Sequence, residues 1–156
     1  MKVFISYGDT ADQVTALRLQ ALGAVNGLTV YVPPAHTRAA FPALIEPDVD
    51  RKLVEADVVL GIVGIDLNPA CLHELERGMA LGKNMIVMSD PVSVPQLQPY
   101  FSSKLVVFDP LNPDRAEIGI VQRLKEIEGQ QTAKNALLAL GTLALGLLLL
   151  APADRS

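Results

Sequence analysis

A six-residue run without polar side chains, VVLGIV at positions 58–63, constrains the fold of this chain more than any other feature. A strand of this kind must be covered on both faces, which is typical of a parallel sheet with helices on either side. Four more short apolar runs predict strands at residues 2–6, 28–32, 85–88 and 104–108. Segments with helical periodicity separate these runs, so we expect an α/β fold with a doubly wound parallel sheet.

Helix signals lie between the predicted strands. Asn68 followed by Pro69 is typical of a helix start, because the amide caps the first turn and proline needs no hydrogen-bond acceptor there. Residues 90–103 contain three prolines, and we expect them to be mostly irregular. The predicted helices cover residues 11–25, a segment through Val49 and Leu53, residues 69–81 and residues 114–127.

Composition excludes several classes of protein. The 156 residues include 17 acidic residues against 13 Lys and Arg, for a formal charge of −4, which disfavours nucleic acid as a partner. A single cysteine excludes an internal disulfide and a Cys-x-x-Cys metal site. His36 and His73 lie far from other ligands in the sequence, so we expect no metal and no resident cofactor.

The C-terminal segment is uniformly apolar. Residues 136–151 read ALLALGTLALGLLLLA, with no charge and a single Thr. This run predicts that residues 136–153 form a hydrophobic helix that anchors the cytoplasmic body, residues 1–129, to the inner membrane through a polar joint at 130–135. The alternative is a helix packed between subunits of a cytoplasmic oligomer.

Glu74 is the main candidate for chemistry. It lies in the second turn of the predicted helix over residues 69–81, close to the strand ends where ligands bind in open parallel sheets. A carboxylate early in a helix is also explained by favourable interaction with the helix dipole. The stretch from Cys71 to Leu75, CLHEL, is followed by Gly82-Lys83.

Three segments resemble Toll/interleukin-1 receptor (TIR) domains. They are KVFISY at residues 2–7, ADVVLGIV at residues 56–63, and CLHEL with the following Gly-Lys. The resemblance, to a stand-alone prokaryotic type, implies a flavodoxin-like, TIR-type sheet of five parallel strands in the order 2-1-3-4-5. It also implies NAD+ as substrate, cleaved at the nicotinamide–ribose bond by a glycohydrolase or cyclase in anti-phage signalling. Glu74 inherits the catalytic role.

The same resemblance implies a substrate site between three loops. Arg38 is the candidate for binding the pyrophosphate and Phe41 for stacking on a ring. The remaining candidates for binding the substrate are Tyr7, Gly8, Asp9, Pro33 and Cys71. The chain departs from the family pattern, because it contains no tryptophan and its second loop, starting at Pro33-Pro34, lacks the usual aspartate and glycine.

Two other functions remain open at this stage. A TIR domain can act without catalysis by self-association, for which the segment 33–42 is the expected surface. Glu74 and Gly82-Lys83 also resemble the E-x7-GK helix of nucleoside 2-deoxyribosyltransferases. Both enzymatic alternatives assign Glu74 to cleavage of an N-glycosidic bond.

Overall fold

A computed structural model describes residues 1–38, 44–109 and 111–150, and its centre is a sheet of five parallel strands. The order is β2-β1-β3-β4-β5, which confirms the predicted fold class and strand order. The fully apolar run VVLGIV forms the central strand and is buried along its whole length. The strands are β1 (Lys2–Tyr7), β2 (Thr29–Tyr31), β3 (Val58–Val63), β4 (Asn84–Ser89) and β5 (Leu105–Val107).

Helices connect the strands and cover both faces of the sheet. They are α1 (Thr10–Val25), α2 (Pro47–Glu55), α3 (Pro69–Ala80) and α4 (Val94–Phe101). A further helix, α5 (Pro113–Leu150), follows β5. Helix α1 lies on one face, where its Gly23 approaches Val30 of β2. Helix α3 lies on the other face, where Leu75 packs against Gly61 of β3. The chain therefore adds strands in one direction from β1 to β2 and in the opposite direction from β1 to β3. The crevice at this switch point, between β1 and β3, is the expected ligand site.

One large apolar cluster lies between the sheet and helices α2, α3 and α4. It contains side chains from all three helices and from β1, β3 and β4, including Phe4, Leu53, Val59, Leu75, Val87 and Phe101. Every member of this cluster is at most 4 % exposed. This packing holds α3, and with it Glu74, rigidly against the sheet.

Residues 90–103 differ from the irregular loop that we predicted. Val94–Phe101 forms helix α4 although Pro99 lies inside it and removes one backbone hydrogen bond. Leu97 and Phe101 are 2 % and 3 % exposed, and they pack into the apolar cluster. Their burial outweighs the unfavourable proline, an effect that local sequence signals do not contain.

Helix α5 continues without a break through residues 130–135, the predicted joint. Contacts divide the chain into two compact units, the first being Met1–Val121 and the second beginning at Gln122. Over the described part of the chain, no helix has both the length and the apolar character needed to span a membrane. The apolar end of helix α5, residues 136–150, is only about 22 Å long. The hydrocarbon core of a bilayer is roughly 30 Å thick. The predicted membrane anchor, and the inner-membrane location with it, is therefore wrong.

The alternative, that the apolar end of α5 packs between subunits of an oligomer, stays a prediction. Leu137 and Leu140 are 70 % and 62 % exposed in the single chain. Leucines on such a helix favour association with another apolar surface, as expected for a helix in a subunit interface.

Candidate active site

Glu74 is one of the few charged residues that the fold buries. Asn68 caps α3 by accepting hydrogen bonds from the amides of Ala70 and Cys71, so the helix begins beside the carboxyl end of β3. One and a half turns later, Glu74 faces the sheet and is 1 % exposed. A carboxylate with so little contact with water requires specific partners, because an unpaired buried charge is strongly unfavourable.

The principal partner of Glu74 is Arg38, which lies in a short 3₁₀ segment, Ala35–Arg38, after β2. Its Nη1 and Nη2 atoms donate to Oε1 and Oε2 of Glu74, each at 2.6 Å. Burial alone would lower the pKa of Arg38, but the hydrogen bonds and the charge of Glu74 raise it. The guanidinium therefore remains charged, and the two side chains form a bidentate ion pair inside the protein.

Strand β1 supplies further contacts of this pair. The Ser6 hydroxyl donates to Oε1 of Glu74 at 2.7 Å. The carbonyl of Tyr7 accepts a hydrogen bond from Arg38 at 3.1 Å, and the guanidinium lies 5.0 Å from the centre of the Tyr7 ring. The Tyr7 hydroxyl in turn donates to the carbonyl of Pro33 at 2.6 Å. The ends of β1, the loop after β2 and α3 are thus joined by a single network.

The space beside this network is small. A cavity of about 10 Å³ is lined by both members of the ion pair and by residues of α2 and α3, including Val49 and His73. That volume is close to the minimum needed for one water molecule. In this arrangement the Glu74 carboxylate cannot contact a substrate unless Arg38 moves.

The other residues predicted to bind substrate have structural partners. Asp9 caps α1 by accepting from the amide of Asp12, and Gly8 is buried against Asn68, where a side chain would collide with the Asn68 Cβ at 2.9 Å. Cys71 is buried, and burial raises the pKa of its thiol to about 12, so the thiol stays protonated at neutral pH. Phe41 lies outside the described residues.

The Gly-Lys pair of the sequence motif also has a structural explanation. Gly82 has a φ of 67° and ends α3, because only glycine adopts this conformation without strain. The Lys83 ammonium donates to the carbonyl of Val54 at 2.6 Å. Both residues fix the exit of α3 toward β4, away from Glu74.

Sequence reasoning missed Ser6 and Thr37, and it assigned Asn68 only as a cap. Thr37 Oγ1 accepts two hydrogen bonds from the Arg38 guanidinium, and the Asn68 amide donates to the Arg38 carbonyl. Ser6 had a detectable signal, since it is a hydroxyl in an otherwise apolar buried strand and needs a polar partner. Among the described residues, no cluster of His, Cys, Asp and Glu is arranged to hold a metal ion.

Comparison with known proteins identifies a similar fold but no family. No family model and no curated protein matches the chain. The solved structure of a 2-deoxyribosyltransferase from the psychrotolerant bacterium Bacillus psychrosaccharolyticus is similar, with a TM-score of 0.54 and 17 % identity, over 72 % of this chain and 88 % of that chain. That enzyme is described as a biocatalyst for the synthesis of nucleosides. The TIR assignment is therefore wrong.

The anti-phage role that the TIR resemblance implied is withdrawn with it. The motif KVFISY resembles the TIR pattern because it forms a buried strand, in which Val3, Phe4 and Ile5 are each at most 1 % exposed. Any fold with a central strand at this position selects similar residues for packing. At 17 % identity, the structural similarity itself shows the fold alone.

Proposed function

We propose that this chain is an enzyme that cleaves the N-glycosidic bond of a nucleoside, with Glu74 as the carboxylate that acts on the anomeric carbon. The observation that carries the proposal is a buried glutamate on α3, beside the carboxyl end of β1. It occurs in a fold similar to that of a 2-deoxyribosyltransferase, whose chemistry takes place at this bond.

A carboxylate suits this reaction for two reasons. It stabilises the positive charge that develops on the sugar ring as the bond to the base lengthens. It can also form a covalent ester at C1′, while the bonding electrons leave with the base nitrogen, which takes a proton from water. A second base or a water molecule then attacks C1′ and releases the carboxylate. The proposed reaction requires no resident cofactor.

The ion pair between Arg38 and Glu74 represents the resting state of this proposed site. With both oxygens bonded to Arg38, the carboxylate is a poor nucleophile. Substrate entry requires Arg38 and its 3₁₀ segment to withdraw from α3. When a substrate sugar displaces the guanidinium, the Glu74 carboxylate becomes available as a nucleophile. Because this happens only while the sugar is bound, side reactions with water are limited.

The test is release of free base from 2′-deoxynucleosides by the full chain, followed by chromatography, with NAD+ assayed in parallel. Glu74→Gln should lower base release by about a thousandfold or more, because it removes the nucleophile. Glu76→Gln is the matched control, since Glu76 lies on the same helix, is exposed and forms an ion pair with His73. It should retain full activity.

Two outcomes would overturn the proposal. One is activity of Glu74→Gln equal to that of the unaltered chain. The other is no base release from any deoxynucleoside. If, in that case, the chain released nicotinamide from NAD+, its substrate would be a dinucleotide and not a nucleoside.

A second candidate function is a non-catalytic binding domain in which the ion pair only stabilises the fold. The 1 % exposure of Glu74 favours it. A chain that is inactive on every substrate, and that unfolds more readily when Arg38 or Glu74 is replaced, would support this alternative.

A further inference from the structure

A second cavity, larger than the one beside Glu74, opens on the opposite face of the sheet. Its volume is about 170 Å³, and it lies at the carboxyl ends of β3 and β4, under the first turns of α1. Its lining includes Asp12, Thr15, Ile62, Met88, Asp90 and Phe108. In open parallel sheets ligands bind at this edge, so the position itself is favourable for a site.

The walls of this cavity are tied together by hydrogen bonds. The amide of Asp90 donates to the carbonyl of Val63 at 2.9 Å, and the amide of Phe108 donates to the carbonyl of Ser89 at 2.8 Å. The Ser93 hydroxyl donates to the carbonyl of Gly64 at 2.6 Å. These bonds join the segments after β3, β4 and β5, so the cavity exists without a ligand and needs little reorganisation to accept one.

Asp12 is the polar centre of the cavity. Its carboxylate lies close to the backbone at Gly64, where an added Cβ would be only 2.9 Å from Oδ1 of Asp12. Burial and the nearby charge of Asp9 raise the pKa of Asp12 to about 6, although the peptide groups of Asp9, Gly64 and Gly8 act in the opposite direction. A carboxyl in this state gains from a ligand that donates hydrogen bonds to it.

The charge of the lining selects the class of ligand. Within the described residues, the cavity is lined by two carboxyl groups, Asp12 and Asp90, and by no Lys, Arg or His. Phosphate and carboxylate ligands are therefore unfavourable. The remaining surface, from Ile62, Met88 and Phe108, is apolar and suits the faces of a flat ring.

The size of the cavity further limits which ligands it could bind. An engineered cavity of about 150 Å³ holds one benzene molecule, so about 170 Å³ accommodates a single ring system. The sugar and phosphate of a nucleotide would lie outside this volume.

We propose that this cavity binds one amino-substituted nitrogen heterocycle, of the size of a free pyrimidine or purine base, with its amino group donating to Asp12. Carboxylates accept hydrogen bonds from the amino group of cytosine in just this way. Phe108 and Met88 contact the ring faces. The site lies apart from Glu74, across the sheet, and its binding does not depend on the catalytic proposal.

Titration of the full chain with cytosine and with uracil tests this inference. The two rings have the same size, but uracil carries a carbonyl where cytosine carries the amino group. Cytosine should bind at least about tenfold more tightly, the value of one well-placed hydrogen bond to a charged group. Amide chemical-shift changes should centre on Asp12, Gly64 and Phe108, and cytidine 5′-monophosphate should bind more weakly than cytosine.

Three variants complete the experiment. Asp12→Asn should lower cytosine affinity about tenfold or more, because it removes the ionised acceptor. Asp66→Asn, which removes an exposed charge that does not line the cavity, should leave the affinity unchanged. If Asp12→Asn is poorly folded by circular dichroism, Thr15→Met decides, since its longer side chain fills the cavity and should abolish binding.

Three results would overturn the inference. They are equal affinity for cytosine and uracil, shift changes that centre on Glu74 instead of Asp12, and no binding of either base at millimolar concentration.

Discussion

Arg38 and Glu74 are the residues whose chemistry is most altered by the fold. Each is almost completely buried, and Arg38 donates two hydrogen bonds of 2.6 Å to Glu74. Removing one partner leaves the other as an uncompensated charge inside the protein, whereas removing both avoids that penalty. The pair therefore predicts a strongly non-additive response to substitution.

Glu74→Gln alone should lower the free energy of unfolding by ~2–4 kcal/mol, because Arg38 stays buried without a counter-charge. Arg38→Met alone should have a similar effect. The double variant Arg38→Met/Glu74→Leu should lose clearly less than the sum of the two, as measured by urea denaturation. Glu76→Gln, on the exposed face of α3, should change stability by less than about 0.5 kcal/mol. Additive losses in the double variant would contradict the buried pair.

The relation between α3 and β3 decides how closely Glu74 approaches the sheet. Gly61 of β3 lies against Leu75, and a Cβ at Gly61 would be 2.7 Å from Leu75 Cδ2. Leu75 is fully buried in the apolar cluster, so it has little room to move. The absence of a side chain at position 61 thus allows the helix to pack tightly on the strand.

Gly61→Ala should therefore destabilise the protein by about 1–3 kcal/mol through overpacking. Gly119→Ala provides the matched control, since Gly119 is exposed in α5 and a Cβ there would contact nothing within 4 Å. That substitution should stabilise the helix by up to ~1 kcal/mol, because alanine is the better helix former. Thermal unfolding of both variants measures the difference, and a neutral Gly61→Ala would show that α3 is not tightly packed.

The stability of the whole molecule should depend on pH through Asp12. Its pKa is raised from 3.8 to about 6 in the folded protein, so the folded state binds a proton more tightly than the unfolded chain. The contribution of Asp12 to stability is then fully present below about pH 4 and is lost as the pH rises through about 6.

Relative to Asp12→Asn, the unaltered chain should lose about 1–2 kcal/mol of unfolding free energy between pH 4 and pH 7, a value reduced for the partial exposure of the carboxyl. Urea denaturation at a series of pH values measures this difference. Asp9→Asn should move the transition to lower pH, because the charge of Asp9 contributes to the raised pKa. An identical pH profile for the unaltered chain and Asp12→Asn would contradict the assignment.

Most of the architecture could be predicted from the amino-acid sequence. The apolar run at 58–63 needs cover on both faces, and the Asn68-Pro69 start of α3 is a local signal, so the parallel sheet and the start of α3 followed from short-range chemistry. The strand order, in contrast, came from the resemblance to TIR domains and not from these local signals. The sequence also placed Glu74 on the correct helix, near the strand ends. Local signals failed at α4, where burial of Leu97 and Phe101 overrides the effect of Pro99.

The surroundings of the charged residues could not be predicted from the sequence, because they depend on tertiary contacts. Arg38 and Glu74 are 36 positions apart, and nothing in the sequence near either residue shows that they bond to each other. The same holds for Asp12, which meets Gly64 only because α1 crosses the ends of the strands. Pairing, burial and cavity volume arise from contacts between distant segments, and these contacts decide whether a carboxylate is a capping group, an ion-pair partner or part of a binding site.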